Sequence, residues 1–356
     1  LILCYLIYMS FKDLPIMQDK KKGVLLFYPY VSKKTPTNIK KKLSGRWLGQ
    51  GPMVDKFEND FKKKFAKKCS VIATGSGTDS LHLAYILAGL KSGDEVITTI
   101  FTCTATNIPM LYMNLKIKFA DIERETMNIS IDSVKKLITR KTKAIVCVHY
   151  GGLPCNMDAL QKICKQKKII LIEDAAHALG AKYRKKPIGS ISDFSTFSFQ
   201  AIKHFTTGDG GMLTIKNKKL EDKAKRIRWF GIDRKKKQQG IWKNDVHEIG
   251  YKYQMTDLSA TMGCDALKDF NKIYKHRKKI YNTYLQELSQ NNRVRCIHDY
   301  DKKKEHGAWL FTIAINNKDF VQKKLREHSI ETNQVHFRND RYSIFKKFVK
   351  GKKFPN

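Results

Sequence analysis

Short apolar runs alternate with amphipathic stretches between residues 71 and 215 of the chain. The apolar runs are rich in Val and Ile and predict strands; they read DEVITTI, KIKFADI, KAIVCVHY, KIILIEDAA, FSTFSF and GGMLTI. Helical spacing of apolar positions occurs between several of them, over residues 79–90, 131–139 and 157–167. Continuous apolar strands that alternate with helices predict a largely parallel sheet with helices on both faces.

A second region follows the predicted sheet. Helical spacing covers residues 218–230 and a longer stretch over 256–288. The run HGAWLFTIAI, a helix near 318–328 and the segment IETNQVH then predict a smaller α+β domain. The predicted fold class is therefore α/β, with a three-layer α/β/α domain, a mostly parallel sheet and a smaller C-terminal α+β domain. We assign residues 24–255 to the large domain and 256–356 to the small one.

The two ends of the chain depart from this pattern. Residues 1–23 form an atypical N-terminal extension, whose apolar start LILCYLIYMS is shorter than the roughly 20 residues that a membrane helix needs. It lacks a basic leader and a small-residue cleavage site, so we expect neither a signal peptide nor a membrane anchor. Because Leu stands first, we expect these residues to lie upstream of the natural start or to form an irregular arm. The final GKKFPN ends in a turn, and we expect the small domain to be truncated there.

The composition is strongly basic, since 69 Lys and Arg stand against 33 Asp and Glu, for a formal net charge of +36. The lysine runs are scattered and no DNA- or RNA-binding motif accompanies them, so we expect a solvated exterior and no nucleic-acid partner. A positive field still attracts a phosphorylated substrate. The eight cysteines form no CxxC pair and no zinc-like spacing, which favours free thiols in a cytoplasmic protein and no metal site.

A glycine-rich turn, Gly75-Ser76-Gly77-Thr78, opens the helical part of ATGSGTDSLHLA. Backbone N–H groups and the helix dipole at such a turn favour a phosphate. The turn is not a dinucleotide fingerprint, because the third glycine is absent and only a weak strand signal precedes it. Taken alone, it is also explained as the ordinary first turn of a helix.

Two further signals lie at predicted strand ends, where ligands bind in sheets of this kind. Asp174 ends the apolar strand of IILIEDAAHALGA, and His177 follows within one helical turn. The buried carboxylate needs a cation or hydrogen-bond donors; a helix cap is the structural alternative, and a metal site would need ligands that the neighbouring sequence does not offer. Lys203 follows FSTFSF and precedes the turn TTGDGG, with Ser198 shortly before it. A desolvated lysine there is a nucleophile toward carbonyl groups, whereas the alternative is an ordinary surface lysine.

These three features together match the needs of one cofactor. A phosphate-binding turn, a buried carboxylate and a strand-end lysine are what pyridoxal 5′-phosphate (PLP) requires of a protein. Lys203 would form the Schiff base, and Asp174 would keep the pyridine nitrogen protonated so that the ring accepts electrons from the substrate carbon. The sequence therefore predicts a PLP enzyme.

From Leu43 onward, the chain resembles the DegT/StrS family of PLP-dependent nucleotide-sugar aminotransferases, which have fold type I, that of aspartate aminotransferase. The resemblance rests on ordered motifs: RWLGQGPMVDKFE, GSGTDSL, VHYGGLPCNMD, IEDAAHALGA, FSFQAIKHFTTGDGG, GYKYQMTDLSATMG and VHFRNDRY. It implies a homodimer with active sites at the subunit interface. It also implies transfer of an amino group from L-glutamate to a keto group of a nucleotide-linked 4-keto-6-deoxy sugar, for surface polysaccharide.

The resemblance implies a role for each matching residue. Lys203 resembles the Schiff-base lysine, Asp174 the partner of the pyridine nitrogen, and His177 the polar residue beside the cofactor ring; these three are the predicted catalytic residues. The predicted phosphate ligands are Gly75, Ser76, Gly77, Thr78 and Ser198. The candidates for binding the pyrophosphate of the substrate are Arg228, His336 and Arg338.

Three departures from the family pattern bear on the site. Cys103 stands where the family has an aromatic residue that stacks on the cofactor, and Phe101 precedes it; both are candidate cofactor contacts. Lys252 replaces an asparagine in the loop that reaches the phosphate across the dimer, and we expect the lysine to preserve phosphate binding. Members of the family also continue beyond FPN with a strand and a helix.

Two alternatives stay open. A related sugar dehydratase uses PLP without a lysine Schiff base and has His at the lysine position, but here Lys203 rather than His204 aligns with it. A catalytically degenerate or nucleic-acid-binding homologue would use the net charge for binding. Salt-dependent retention on DNA without a cofactor spectrum would indicate that homologue.

Overall fold

A seven-stranded sheet forms the centre of the computed structural model, which describes residues 23–243 and 245–355. The strands of the described chain are β1 (Ser70–Thr74), β2 (Glu95–Thr99), β3 (Lys116–Ala120), β4 (Thr142–Val148), β5 (Ile170–Asp174), β6 (Lys182–Tyr183), β7 (Lys186–Pro187), β8 (Phe194–Ser198), β9 (Gly211–Ile215), β10 (Val294–Cys296), β11 (Lys304–Glu305) and β12 (Ile313–Ile315). Its α-helices are α1 (Thr35–Leu43), α2 (Pro52–Phe65), α3 (Gly77–Leu87), α4 (Thr104–Tyr112), α5 (Ile131–Leu137), α6 (Met157–Lys167), α7 (Glu221–Ile227), α8 (Arg234–Gln238), α9 (Asp257–Leu288), α10 (Lys318–Glu327) and α11 (Lys346–Val349). Apart from Gly23, the predicted N-terminal extension lies outside the described residues.

The sheet is mostly parallel, which confirms the predicted fold class. Its spatial order is β1-β9-β8-β5-β4-β2-β3. Within this sheet β9 runs antiparallel to both neighbours, β1 and β8, while the other pairs are parallel. Because β1 and β8 both oppose β9, they point in the same direction as the rest.

Helices cover both faces of this sheet and complete the three-layer arrangement. Alternate residues of β1 enter two separate buried clusters, Val71 and Ala73 the first and Ile72 the second. Helices α2 and α9 contribute to the first cluster and α3 to the second, through Phe57, Phe61, Ala260, Phe270, Leu81, Leu83 and Tyr85. The alternation follows from the period of two in a strand, and it explains why these strands read as continuous apolar runs.

Local structure departs from the sequence predictions in three places. The weak strand signal before the glycine turn corresponds to a fully buried strand, β1. Helix α4 forms from the stretch TATNIPMLY, which the sequence pattern does not predict as helical because it is Thr-rich and contains Pro109. The predicted helix over 218–230 is shorter: a 3₁₀ turn, Lys218–Leu220, leads into α7.

The C-terminal region combines α and β structure, as predicted. β10 pairs with β12, and β11 joins β6 and β7 of the preceding region. The segment IETNQVH contributes one isolated bridge, between Ile330 and Val24. Helix α9 packs against α2, so contacts cross the boundary drawn after residue 255. The division into domains therefore stays a prediction.

Three absences hold for the described part of the chain. None of its helices has the length and apolar character to cross a membrane. Its cysteines are free thiols. None of its clusters of His, Cys, Asp and Glu is arranged to hold a metal ion.

Candidate active site

Three of the predicted site segments meet at one edge of the sheet. Because β1, β5 and β8 run in the same direction, their carboxyl ends lie together. Gly75 follows β1, Asp174 ends β5, and Ser198 ends β8. A Cβ atom added to Gly77 would lie 2.9 Å from Cβ of Ser198, so the glycine turn touches the end of β8.

The glycine turn has the geometry of an anion site at a helix N-terminus. Helix α3 begins at Gly77, and Oγ of Ser76 accepts the N–H of Asp79 at 3.0 Å. The N–H of Gly75 donates to the carbonyl of Tyr253 at 2.8 Å, which fixes the turn against the loop that precedes α9. Burial raises the pKa of the Asp79 carboxyl.

A methyl group in this turn is expected to weaken phosphate binding. In Gly77→Ala the new Cβ would stand 2.9 Å from Cβ and 3.3 Å from Oγ of Ser198. Overpacking of about 1–3 kcal/mol corresponds to a loss of about 5- to 150-fold in affinity for PLP. Absorbance titration of the cofactor-free protein with PLP measures this affinity. The matched control is Gly49→Ala, whose Cβ meets nothing within 4 Å. Equal PLP affinity in the two variants would contradict the predicted role of the glycine turn in phosphate binding.

Asp174 is held by two donors at the end of β5. Its Oδ2 accepts from Oγ1 of Thr106 at 2.7 Å, and its Oδ1 accepts the N–H of Ala176 at 3.1 Å. Thr106 itself shares a hydrogen bond with Thr102 at 2.9 Å. A carboxylate offers about four acceptor positions, so Asp174 keeps capacity for a ligand. Sequence reasoning missed Thr106, because α4 was not predicted.

Lys203 lies in the turn after β8 with its amine over an aromatic ring. Its Nζ is 4.0 Å from the ring centroid of Trp309. Burial lowers the pKa of the amine to about 8, although Asp174 and Cys103 act in the opposite direction. A lysine with such a pKa is partly neutral near physiological pH, which suits a nucleophile and a proton carrier.

Two imidazoles and an indole form a stack beside Lys203. The ring of His177 lies 3.8 Å from that of Trp309 at 19° and 5.6 Å from that of His336 at 14°. Burial, with a further contribution from Lys203, holds the pKa of His177 well below its usual range and lowers that of His336 to about 3. Both rings are therefore neutral. Nδ1 of His177 and Nε2 of His336 are buried without a hydrogen-bond partner, as expected of atoms that meet a ligand.

The two candidates from the FTCTATN segment lie near the same cluster. Phe101 is buried, with its ring 5.6 Å from that of Tyr150 and 6.1 Å from that of His336. Cys103 is exposed just before α4 and lies close enough to Lys203 to affect its pKa. Phe101 thus packs near the ring of His336, whereas the thiol of Cys103 is exposed.

Arg228 makes its contacts within its own chain, and its predicted role toward the substrate stays a prediction. It is 3% exposed, and its guanidinium donates to Oε1 of Glu58 at 2.6 Å and to the carbonyl of Ala73 at 2.9 Å. Glu58 in turn accepts the N–H of Ala73 at 2.8 Å. The pair satisfies the free backbone edge of β1. Both of these bonds use Nη1 of Arg228, whereas its Nε is buried without a hydrogen-bond partner in the described part of the chain.

Breaking this pair is expected to cost stability. Arg228→Met leaves the buried Glu58 charge uncompensated, so the free energy of unfolding should fall by about 3–5 kcal/mol. Denaturant unfolding measures the loss. The double variant Glu58→Gln with Arg228→Met removes both charges and should recover part of it. Equal stability of Arg228→Met and the wild type would show that the ion pair contributes nothing.

Two other basic candidates, Arg338 and Lys252, make contacts within their own chain. Arg338 forms a two-point ion pair with Asp340 and donates to the carbonyl of Phe354 at 3.2 Å. Lys252 is exposed, and its Nζ lies 5.2 Å from the ring centroid of Phe230. Their predicted roles toward phosphate groups stay predictions.

The arrangement unites an anion-binding turn, a hydrogen-bonded carboxylate and an amine of lowered pKa. A turn of this kind can bind a phosphate, such a carboxylate can stabilise a protonated ring nitrogen, and such an amine can attack a carbonyl carbon and move protons. Trp309 completes the cluster. Sequence reasoning missed this residue because HGAWLFTIAI read as an ordinary apolar run.

Comparison with known proteins extends over almost the whole chain. The model of the DegT/DnrJ/EryC1/StrS aminotransferase family matches residues 29–356. The GDP-perosamine synthase of Escherichia coli O157:H7 is 31% identical, over 89% of this chain and 85% of its own length. The UDP-4-amino-4,6-dideoxy-N-acetyl-beta-L-altrosamine transaminase of Campylobacter jejuni is 33% identical, over 87% of this chain and 83% of its own length.

Solved structures share the fold. AtS13 from Actinomadura melliaura superposes with a TM-score of 0.88 at 29% identity, over 95% of this chain and 91% of that one. Spr1654 from Streptococcus pneumoniae, solved in its PLP-form, gives a TM-score of 0.85 at 24% identity, over 91% and 88% of the two chains. At that lower identity the second likeness concerns the fold alone.

Proposed function

Because the chain belongs to the DegT/DnrJ/EryC1/StrS aminotransferase family, we propose that it is a PLP-dependent aminotransferase acting on a nucleotide-linked sugar. The amino group comes from L-glutamate and goes to a keto group of a 4-keto-6-deoxy sugar. The observation that carries the proposal is the meeting of Lys203, Asp174 and the glycine turn at one sheet edge. The names of the two relatives support a nucleotide-sugar substrate, and since they contain GDP in one case and UDP in the other, they leave the nucleotide open.

The residues at the site fit PLP. The unpartnered Nδ1 of His177 and Nε2 of His336 mark a place where a ligand supplies hydrogen-bonding groups. The space beside Gly77 is too small for a side chain next to Ser198, which suits close approach of backbone N–H groups to a phosphate.

Each residue then has a defined task. PLP, when bound, supplies an electron-accepting ring joined to the carbon that carries the amino group. The turn Gly75–Thr78 and Ser198 bind the phosphate, and Asp174 holds a proton on the pyridine nitrogen. Nζ of Lys203 would hold the cofactor, and as a partly neutral amine it would move the proton of the substrate α-carbon. The same amine moves a proton in the reverse direction for the keto sugar.

We also propose a cytoplasmic homodimer with active sites at the interface. The surface around Tyr251–Tyr253, next to the glycine turn, carries exposed apolar side chains: Tyr112 is 62% exposed and Phe230 44%. A second copy would cover them and bring its Lys252 toward a phosphate. Sedimentation equilibrium tests the dimer, and a monomer at micromolar concentration would overturn it.

The alternatives receive no support from the site. His204, the residue that a dehydratase assignment would need, is buried and hydrogen-bonded to the carbonyl of Gly307 at 2.7 Å. A degenerate homologue would not keep Lys203, Asp174 and Ser198 together.

The visible absorption spectrum with PLP, before and after L-glutamate, tests the proposal. We expect a band of protein-bound PLP that shifts to the pyridoxamine form on adding glutamate, and that a panel of keto-sugar nucleotides reverses. A bound cofactor without response to glutamate would mean another amino donor. Absence of any cofactor band would overturn the proposal and turn attention to DNA retention, measured against salt.

A further inference from the structure

A short segment of the C-terminal region, residues 306–310, is fixed against the turn that follows β4. Gly307 donates its N–H to the carbonyl of Gly152 at 2.7 Å, and Trp309 and Leu310 donate theirs to the carbonyl of Gly151 at 3.2 and 3.0 Å. Gly152 has a φ of +104°, and a Cβ there would lie 2.8 Å from the carbonyl oxygen of His177. The backbone of Trp309 is therefore held beside His177.

The side chain of Trp309 reaches two of the three predicted catalytic residues, Lys203 and His177. Its Nε1–H donates to the carbonyl of Ile202 at 2.9 Å, directly before Lys203 in the chain. One face of its ring system stacks on His177 at 3.8 Å. The Lys203 amine lies 4.0 Å from the ring centroid. One indole thus contacts the amine, the imidazole and the backbone of the lysine turn.

We propose that Trp309 is a positioning residue of this site, which holds the Lys203 amine and the His177 imidazole in place and stabilises the ammonium form of Lys203 by cation–π attraction before PLP binds. The assignment of the site to PLP rests on the proposed function. The contacts of Trp309 do not depend on that assignment, and they are measurable without cofactor.

The electrostatic balance around Lys203 explains why an aromatic ring matters here. Asp174 and Cys103 favour the ammonium form. Burial of the amine opposes it, and His177, His336 and His204 are neutral rings that bring no compensating charge, since burial lowers the pKa of each. The electron-rich face of an indole attracts an ammonium without adding a titrating group. Trp309 therefore favours the ammonium form of Lys203 and holds it over the indole ring until a carbonyl compound binds.

The test uses the cofactor-free protein. Trace acetylation with acetic anhydride across a pH series, followed by mass spectrometry of the Lys203 peptide, gives the pKa of this one amine. We expect a midpoint near pH 8 in the wild type. In Trp309→Leu, which keeps an apolar neighbour and removes the ring, the midpoint should fall by about 0.5–1.5 pH units. An unchanged or higher midpoint would overturn the cation–π role.

Two further variants separate the effect of the ring from that of the hydrogen bond to Ile202. They also provide a second test should one variant fail to fold. Trp309→Phe keeps the ring but loses the hydrogen bond to Ile202, so its midpoint should match the wild type. Trp309→Met is a second ring-free variant and should follow Trp309→Leu. Lys225, which pairs with Glu221 at the surface, is the internal control whose midpoint should not move. If Phe and Leu give the same midpoint, the ring has no electrostatic role.

The positioning role has its own readout in the loaded enzyme. Displacing the amine and the imidazole should lower kcat for the glutamate half-reaction by about 10-fold or more while KM changes little. A rise in KM alone would assign Trp309 to substrate binding. Should the protein bind no PLP at all, the proposed function fails, while the acetylation midpoints still decide the inference on Trp309.

Discussion

Turnover is expected to fall by about 10³-fold or more when Lys203 is replaced by alanine, because one amine performs both cofactor anchoring and proton transfer. The reason lies in the geometry: among the predicted site residues, Lys203 alone carries an amine of lowered pKa next to Asp174. Stopped-flow absorbance of the glutamate half-reaction measures the loss. PLP should still bind through the glycine turn, although without the spectrum of a lysine-linked cofactor.

Two controls accompany this variant. Lys203→Arg keeps the positive charge and should be as inactive as Lys203→Ala, because a guanidinium stays protonated. Lys225→Ala removes a surface lysine that pairs with Glu221 and should leave turnover unchanged. Activity within tenfold of wild type in Lys203→Ala would falsify the assignment of the catalytic amine.

Replacing Asp174 by asparagine is expected to lower kcat by about 10²–10³-fold. The amide retains an oxygen that accepts from Thr106, at 2.7 Å in the wild type, so the shape of the site survives while the charge is lost. Without that charge the pyridine nitrogen loses its proton and the ring accepts electrons poorly. Steady-state kinetics together with the spectrum of the bound cofactor measure both effects.

The comparison variant is Thr106→Val, which keeps the charge of Asp174 and the side-chain volume but removes the hydrogen bond to Asp174, together with the one shared with Thr102. A hydrogen bond to a charged group contributes about 1.5–3 kcal/mol, so this variant should lose about 10- to 100-fold, less than Asp174→Asn. Wild-type turnover in Asp174→Asn would contradict the role given to the carboxylate. A loss in Thr106→Val that exceeds it would mean that placement matters more than charge.

The sequence predicts the sheet well because its evidence is local. Val- and Ile-rich runs separated by helical stretches require a sheet covered on both faces, whatever the strand order. The antiparallel direction of β9 is not readable in the same way, since an apolar run carries no sign of direction. Helix α4 escaped prediction because tertiary contacts, including the bond from Thr106 to Asp174, override the low helical propensity of its Thr-rich sequence.

The site shows the same division between local and long-range information. Lys203, Asp174 and the glycine turn stand at strand ends, so their proximity follows from parallel strands alone. Trp309 reaches Lys203 only because a distant segment binds the Gly151–Gly152 turn, and pairing of that kind leaves no trace in composition. The ion pair of Arg228 with Glu58 is another long-range contact that the sequence does not show. In so basic a chain, sequence does not distinguish an arginine that pairs with a buried carboxylate from one that binds a substrate.

The position of β1 affects the order in which the strands of the sheet can pair during synthesis. Ser70 pairs with Ile215 and Thr74 with Gly211, so β1 can pair with β9, its strand partner among the described residues, only after most of the large domain has been synthesised. Non-local pairing of this kind is slow to form. Because burial is what lowers the pKa of the Lys203 amine, this lysine is an ordinary exposed amine until the sheet has formed around it. We therefore expect the proposed PLP site to be complete only in chains in which β1 has paired with β9.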